Sequence, residues 1–274
     1  MLDFESTSRR CEIEGATILY NEAGDGPPLL CFHGGGAGAN AWDNTKWNID
    51  VLSKSFRVLL INLPGYGGSS HLEASPGESQ EALFVRAICA VMDKLGIERA
   101  NFYGTSMSAA AVIYLANKFP ERVFKVILKS PAAGRNLLTV TPADGIEALN
   151  AFKEEPSREK MVRIMRLFVP NNDLLTEDMI ELRYKSAMDA RAMPQPRQQH
   201  AGNVDIRPVM EGLTVPVLLL WGHQDRMVPL DGALSALSMI PDIRVHIWGG
   251  GVGHFIEFER PAEFNRVVSD FLLH

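Results

Sequence analysis

The sequence predicts an α/β fold, a mostly parallel central sheet flanked by helices and split by a helical insertion. Three observations predict it. Short, wholly apolar runs such as Leu29-Leu30-Cys31-Phe32 recur along the chain, as expected of strands buried on both faces. Stretches with apolar residues at helical spacing lie between them, so strands and helices alternate. From Ala133 to about Val209 the strand signal disappears and only helical patterns remain.

Ile13 to Glu22 reads as a strand, followed by Gly24-Asp25-Gly26-Pro27-Pro28, a strong turn signal. The strand Leu29–Phe32 runs into His33-Gly34-Gly35-Gly36-Ala37-Gly38. Phe56 to Ile61 is the next strand, closed by Asn62-Leu63-Pro64-Gly65-Tyr66-Gly67-Gly68-Ser69. A helix follows over Ser79 to Leu95, with Leu83, Ile88, Val91, Met92 and Leu95 at helical spacing and Gly96 as its stop. Asn101-Phe102-Tyr103 is strand-like and ends at Gly104, and a small-residue helix starts near Met107 and runs to Phe119. Val123 to Leu128 is again a strand.

The insertion reads as three helices, near 143–155, 157–168 and 176–190, ending in a loop with Pro194 and Pro196. Five of the 11 methionines fall in it: Met161, Met165, Met179, Met188 and Met193. The alternation resumes with a strand at Val217–Trp221, a helix near 231–239, a strand at Ile243–Trp248 and a helix from Pro261 to Leu273. This gives a core of residues 1–133 and 210–274 and a helical cap of residues 134–209, with no internal repeat.

The composition is that of a globular protein of 274 residues, 46% hydrophobic and 22% charged. A net charge of −6 without a Lys/Arg cluster argues against nucleic acid as a partner. Met1–Arg10 holds no apolar segment fit for a signal peptide, and the apolar run at Val215–Trp221 is too short to span a bilayer. Cys11, Cys31 and Cys89 are scattered and odd in number, which fits neither a disulfide framework nor a zinc site. The expectation is a cytoplasmic protein with no membrane partner and no metal.

In a parallel sheet the loops after the strands gather at one edge, where such folds bind ligands. Three residues there complete a nucleophilic constellation. Ser106 sits in Gly104-Thr105-Ser106-Met107-Ser108, close to the G-x-S-x-G nucleophile elbow with Ser108 in place of the second glycine. Asp225 and His254 each follow a later strand. A serine hydroxyl is a poor nucleophile until a neutral imidazole takes its proton, and the imidazole needs a carboxylate to fix its tautomer. The developing oxyanion needs backbone donors, for which Met107 N–H and Gly35 N–H are the candidates.

Taken singly, each piece has a plainer reading. Ser106 could be a helix N-cap, Asp225 a turn cap, His254 an exposed histidine and the glycine run a tight connection. That run lacks the Lys-Ser/Thr of a phosphate loop and the G-x-G-x-x-G dinucleotide spacing. Four features in the order Ser, Asp, His, each after its own strand, favour a hydrolase triad.

Over nearly the whole chain, from Ile13 on, the sequence resembles the meta-cleavage product hydrolases of the α/β-hydrolase fold. These cleave carbon–carbon bonds in 2-hydroxy-6-oxo-dienoates formed by aromatic ring opening. The resemblance rests on His33-Gly34-Gly35-Gly36-Ala37-Gly38-Ala39-Asn40-Ala41-Trp42-Asp43-Asn44, on Ser106-Met107, on Asp225-Arg226-Met227-Val228-Pro229-Leu230-Asp231 and on Pro261-Ala262-Glu263-Phe264-Asn265. It implies a helical cap inserted after the sixth strand, a cofactor-free serine hydrolase acting on a small molecule, and a homodimer or higher homo-oligomer.

It also implies that Asn44 faces the active site and that Arg183 holds the dienoate carboxylate. Phe168, Met227 and Phe255 would line the apolar part of the pocket, and Thr105 stands where the family's asparagine faces the substrate. Phe255 replaces a common tryptophan. Two other readings start from the same residues: an esterase, lactonase or amidase acting on a small carboxylated substrate, and a binding protein that uses the fold without catalysis.

Overall fold

The computed structural model describes residues 2–132, 143–192 and 199–274. Its centre is an eight-stranded sheet in the order β1-β2-β4-β3-β5-β6-β7-β8. A short helix, α1 (Phe4–Thr7), leads into β1 (Ser8–Ile13) and β2 (Ala16–Ala23), an antiparallel pair. The strand expected over Ile13–Glu22 is β2, but it starts only at Ala16, and Ile13 ends β1, so the two strands form a hairpin. Its turn residues, Glu14 (φ 47) and Gly15 (φ 80), are both left-handed, the twist that a two-residue hairpin demands. On β1, Cys11 and Ile13 are buried and Arg9, Arg10 and Glu12 exposed, which keeps this edge strand charged toward solvent.

β3 (Pro28–Phe32), α2 (Ala41–Leu52), β4 (Arg57–Ile61), α3 (Gln80–Lys94), β5 (Ala100–Thr105), α4 (Met107–Lys118) and β6 (Val123–Lys129) follow in turn. Helices α5 (Asp144–Glu154), α6 (Arg158–Phe168) and α7 (Glu177–Ala192) come between β6 and the resumption of the sheet. The chain then adds α8 (Arg207–Glu211), β7 (Val217–Gly222), α9 (Asp231–Met239), β8 (Ile243–Trp248), α10 (Ile256–Glu259) and α11 (Pro261–Leu273). β2 pairs antiparallel with both β1 and β4, and every other pairing is parallel. The three inserted helices lie where the sequence predicts them. The expected loop at Met193, Pro194 and Pro196 lies outside the described residues.

The apolar strands bury both faces because helices cover both. Leu30 and Phe32 of β3 face α3 and α4, whereas Leu29 and Cys31 join Ile49 of α2 and Phe264, Val268 and Phe271 of α11 on the other side. Met161 and Met165 are packed into the first of these cores. Among the described residues, no helix is long and apolar enough to cross a membrane.

Helix α2 has no counterpart in the sequence reading, for a physical reason. Its buried face carries Asn44, Thr45 and Asn48 beside Ile49 and Leu52, so apolar periodicity does not mark it. Its start is capped by Asn40, whose side chain accepts Asp43 N–H at 2.8 Å. The buried polar face has a purpose. Asn44 Nδ2 donates to Glu257 Oε1 at 2.8 Å, and Asn48 Nδ2 donates to the Glu257 carbonyl at 3.2 Å.

Candidate active site

β5 enters the sharp turn at Ser106 fully buried, and α4 leaves it one residue later. Gly104 is required by close approach, since a Cβ there would lie 2.8 Å from Ala109 Cα. Ser106 itself has φ 51 and ψ −109, a sparsely populated region for any residue with a side chain. Its hydroxyl caps nothing in α4, so the N-cap reading does not hold. The strained turn is held by hydrogen bonds: Ser106 N–H donates to Lys129 O at 2.8 Å and Thr105 N–H to Ser108 Oγ at 2.8 Å. The Ser108 hydroxyl has Thr105 O at 3.1 Å and Phe32 O at 3.2 Å as acceptors. Ser108 thus ties the turn to β3, a role glycine could not fill.

His254 and Asp225 meet after β8 and β7. Asp225 Oδ2 lies 2.7 Å from His254 Nδ1, and both side chains are buried. The other carboxylate oxygen, Oδ1, accepts Met227 N–H at 2.8 Å and Val228 N–H at 2.9 Å. Burial alone would push Asp225 up. The His254 ring, Val228 N–H and neighbouring Ser130 outweigh it and hold the carboxyl below its usual range. This leaves an anion bonded to Nδ1, and His254 Nε2 is the nitrogen free to take a proton.

His254, Ser106, Met107 and Gly35 line one cavity of about 220 Å³ together with Asn44, Phe168, Arg183, Met227 and Phe255. Met107 opens α4, so its N–H is one of the donors that no intrahelical carbonyl can satisfy. Gly35 packs on it: a Cβ at 35 would stand 3.3 Å from both Cβ and Sδ of Met107. The Phe168 and Phe255 rings are stacked at 4.4 Å, and the Arg183 guanidinium sits 5.8 Å above the Phe168 ring. The backbone also joins these parts, because His254 N–H donates to Phe168 O at 2.9 Å. A larger cavity, of about 640 Å³, adjoins the first at Gly36, Gln80 and Leu149.

Arg183 is 6% exposed and its Nε donates to Ala37 O at 2.7 Å. Among the described residues no carboxylate pairs with it within 4.0 Å. Burial pulls the guanidinium down to about 10, against the pull of Asp43 and Tyr66. The cavity therefore holds a cation with room for an anion.

One expected contact is absent. Thr105 is fully buried at the end of β5, and the cavity wall does not include it. Its side chain lies against the glycine run instead, where a Cβ at Gly34 would stand 3.3 Å from Thr105 Cγ2. Asp225 also lies behind the wall, reaching the cavity only through His254. Four features went unread in the sequence. Glu257 accepts Lys129 Nζ at both oxygens, at 2.7 and 2.9 Å, and Asn44 Nδ2 at Oε1, and the Lys129–Glu257 pair is completely buried. Gln80, Glu81 and Asn203 also line the cavity. A lysine ending an apolar strand was the one available signal. Among the described residues no group of acidic, His or Cys side chains could hold a metal ion.

The glycine run is anchored by His33, whose Nε2 accepts Leu63 N–H at 3.1 Å while Nδ1 lies 2.7 Å from Gly34 O. Burial pushes this imidazole down from 6.5 to about 4. The folded protein keeps it neutral where the unfolded chain would protonate it. Its contribution is complete above pH 6.5 and is lost as pH falls toward 4, by about 3 kcal/mol. Urea unfolding at a series of pH values should show wild type losing about 3 kcal/mol more than His33→Gln between pH 7 and pH 4.

Residues 27–261 match the family of the alpha/beta hydrolase fold. A 2-hydroxy-6-oxononadienedioate/2-hydroxy-6-oxononatrienedioate hydrolase of Pseudomonas sp is 32% identical, covering 95% of this chain and 93% of that protein. A 2-hydroxy-6-oxo-6-phenylhexa-2,4-dienoate hydrolase of Comamonas testosteroni is also 32% identical, over 93% of this chain and 91% of its own. Among solved structures, a meta-cleavage product hydrolase from Pseudomonas fluorescens superimposes with a TM-score of 0.83 at 26% identity, covering 96% of this chain and 97% of that one.

Proposed function

The chain belongs to the alpha/beta hydrolase fold family and, within it, to the 2-hydroxy-6-oxo-dienoate hydrolases, and from that membership we propose that it cleaves a carbon–carbon bond in a dienoate of this type. The observation that carries the reading is Arg183, a buried guanidinium with no carboxylate partner among the described residues, in the same cavity as Ser106 and His254. A planar fork that stays charged at neutral pH suits the substrate carboxylate. The dienol tautomerises to its keto form, which makes the carbon next to the 6-carbonyl a stabilised leaving group. Ser106 Oγ bonds to the 6-carbonyl carbon as His254 Nε2 takes its proton, and the oxyanion accepts Met107 N–H and Gly35 N–H.

Collapse breaks the carbon–carbon bond. The electron pair moves into the dienolate, which takes up the proton from His254 and leaves as a 2-hydroxydienoate. Water, deprotonated by His254, then hydrolyses the acyl-Ser106 ester to a carboxylic acid. Asn44, Phe168, Met227 and Phe255 would hold the dienoate and acyl parts. We assign residues 1–133 and 210–274 to the catalytic core and 134–209 to a cap. The free thiols of Cys11, Cys31 and Cys89 support a reducing cytoplasm, and the family resemblance supports a homo-oligomer.

The test is loss of the yellow colour of a dienoate, read beside hydrolysis of nitrophenyl esters. Arg183→Ala should lower kcat/KM for the dienoate by about 100-fold while changing ester hydrolysis only a few-fold. Arg183→Met should do the same and raise Tm, because it removes a buried charge that no carboxylate of the described residues meets within 4.0 Å. A wild-type protein that hydrolyses esters and leaves the dienoate intact would refute the proposal.

A further inference from the structure

One end of the catalytic cavity is polar, and the reaction as proposed does not use it. The first turn of α3 and the segment around Asn203 build this end. The segment is fastened down by its backbone: Gln80 N–H donates to Gly202 O at 2.9 Å and Ala201 N–H to Glu78 O at 2.8 Å. Glu81 Oε2 accepts Val204 N–H at 2.8 Å. Glu81 is only 4% exposed, yet it lines the cavity. Among the described residues no lysine or arginine pairs with it within 4.0 Å.

A carboxylate offers about four acceptor positions, and one backbone N–H fills one of them. The other oxygen of Glu81 is not shut away from the cavity, so a group seated against it must bring a donor or leave a carboxylate oxygen unpaired, which is costly. Arg183 does not supply it. That guanidinium is tied to Ala37, among the described residues no hydrogen bond or ion pair joins it to Glu81, and the ionisable groups acting on it are Asp43 and Tyr66. The cavity therefore has a cationic site for the substrate carboxylate and a separate anionic site, with Ile146 and Leu149 also on its wall.

We infer that Glu81 selects substrates whose acyl group carries a hydroxyl or amino donor, and that it rejects acyl groups ending in a second carboxylate. The inference rests on the dienoate reading above, with the acyl group held on the apolar side chains and its donor aimed at Glu81. A second carboxylate would face Glu81 as a like charge in a site of low dielectric, which is the repulsive half of the specificity.

The experiment compares kcat/KM for four dienoates: 6-phenyl, 6-(hydroxyphenyl), 6-(aminophenyl) and the nonadienedioate. Wild type should prefer the two donor-bearing substrates over the phenyl compound by about tenfold or more and turn over the dicarboxylate least. Glu81→Gln keeps an oxygen for Val204 N–H but replaces the other acceptor with an NH₂ donor. It should erase the preference for donors and improve the dicarboxylate relative to phenyl. Glu81→Asp, which keeps the charge, should retain the ranking.

A role confined to holding Val204 predicts the same fractional loss for all four substrates in Glu81→Gln, and that result would overturn the inference. So would a wild type that cleaves phenyl and donor-bearing dienoates equally well. Neither outcome touches the dienoate reading. Failure to cleave any of the four, with esters still hydrolysed, would instead overturn that reading and the inference with it.

Discussion

Ser106→Ala should lower kcat for dienoate cleavage by about 10⁴- to 10⁶-fold, the loss typical of removing a nucleophile from an intact triad. Its side chain makes no capping bond to α4, so the variant should unfold at the wild-type temperature. A stopped-flow trace of colour loss beside a thermal melt checks both halves. Retention of more than a hundredth of the activity would show that water attacks without a covalent acyl-enzyme. Ser106→Gly adds an internal control. It is equally inactive but relieves the φ 51 strain, and it should be more stable than Ser106→Ala by about 1 kcal/mol or more.

The second large effect concerns stability. Lys129 and Glu257 are both fully buried, and removing one leaves the other's charge in the core. Lys129→Met or Glu257→Gln alone should cost about 3–5 kcal/mol in urea unfolding. The double substitution should recover most of that loss, because Met and Gln fill similar volume and Gln can still accept from Asn44. Additive losses in the double-mutant cycle would contradict the coupling that the 2.7 Å contact implies.

The parallel strands were legible because strands covered on both faces are apolar throughout, as Leu29–Phe32 and Val217–Trp221 are. Ser106, Asp225 and His254 were legible for a different reason: each follows such a strand, so their order alone implies a common edge. Helix α2 was not, because its buried face is built for Glu257 rather than for oil. The hairpin at Glu14-Gly15 was missed because Ile13 belongs to the strand before the turn, not to the strand after it. Thr105 was expected in the cavity because it stands where the family's asparagine faces the substrate. Thr105 ends β5 and packs against Gly34, whereas Ser106 sits past the strand in the turn. Glu81 went unread because an acidic residue in the first turn of a helix is ordinary, and only the return of the chain near Asn203 encloses it.

The bond from His254 N–H to Phe168 O has a consequence for how this enzyme can diversify. It is a main-chain link, so it survives any side chain at position 168. The ring at that position touches both His254 and Phe255 and borders the cavity, yet exchanging it need not release the peptide on which the base is mounted. Position 168 is therefore a natural dial for evolution or engineering, where substrate range can drift while base alignment is inherited unchanged.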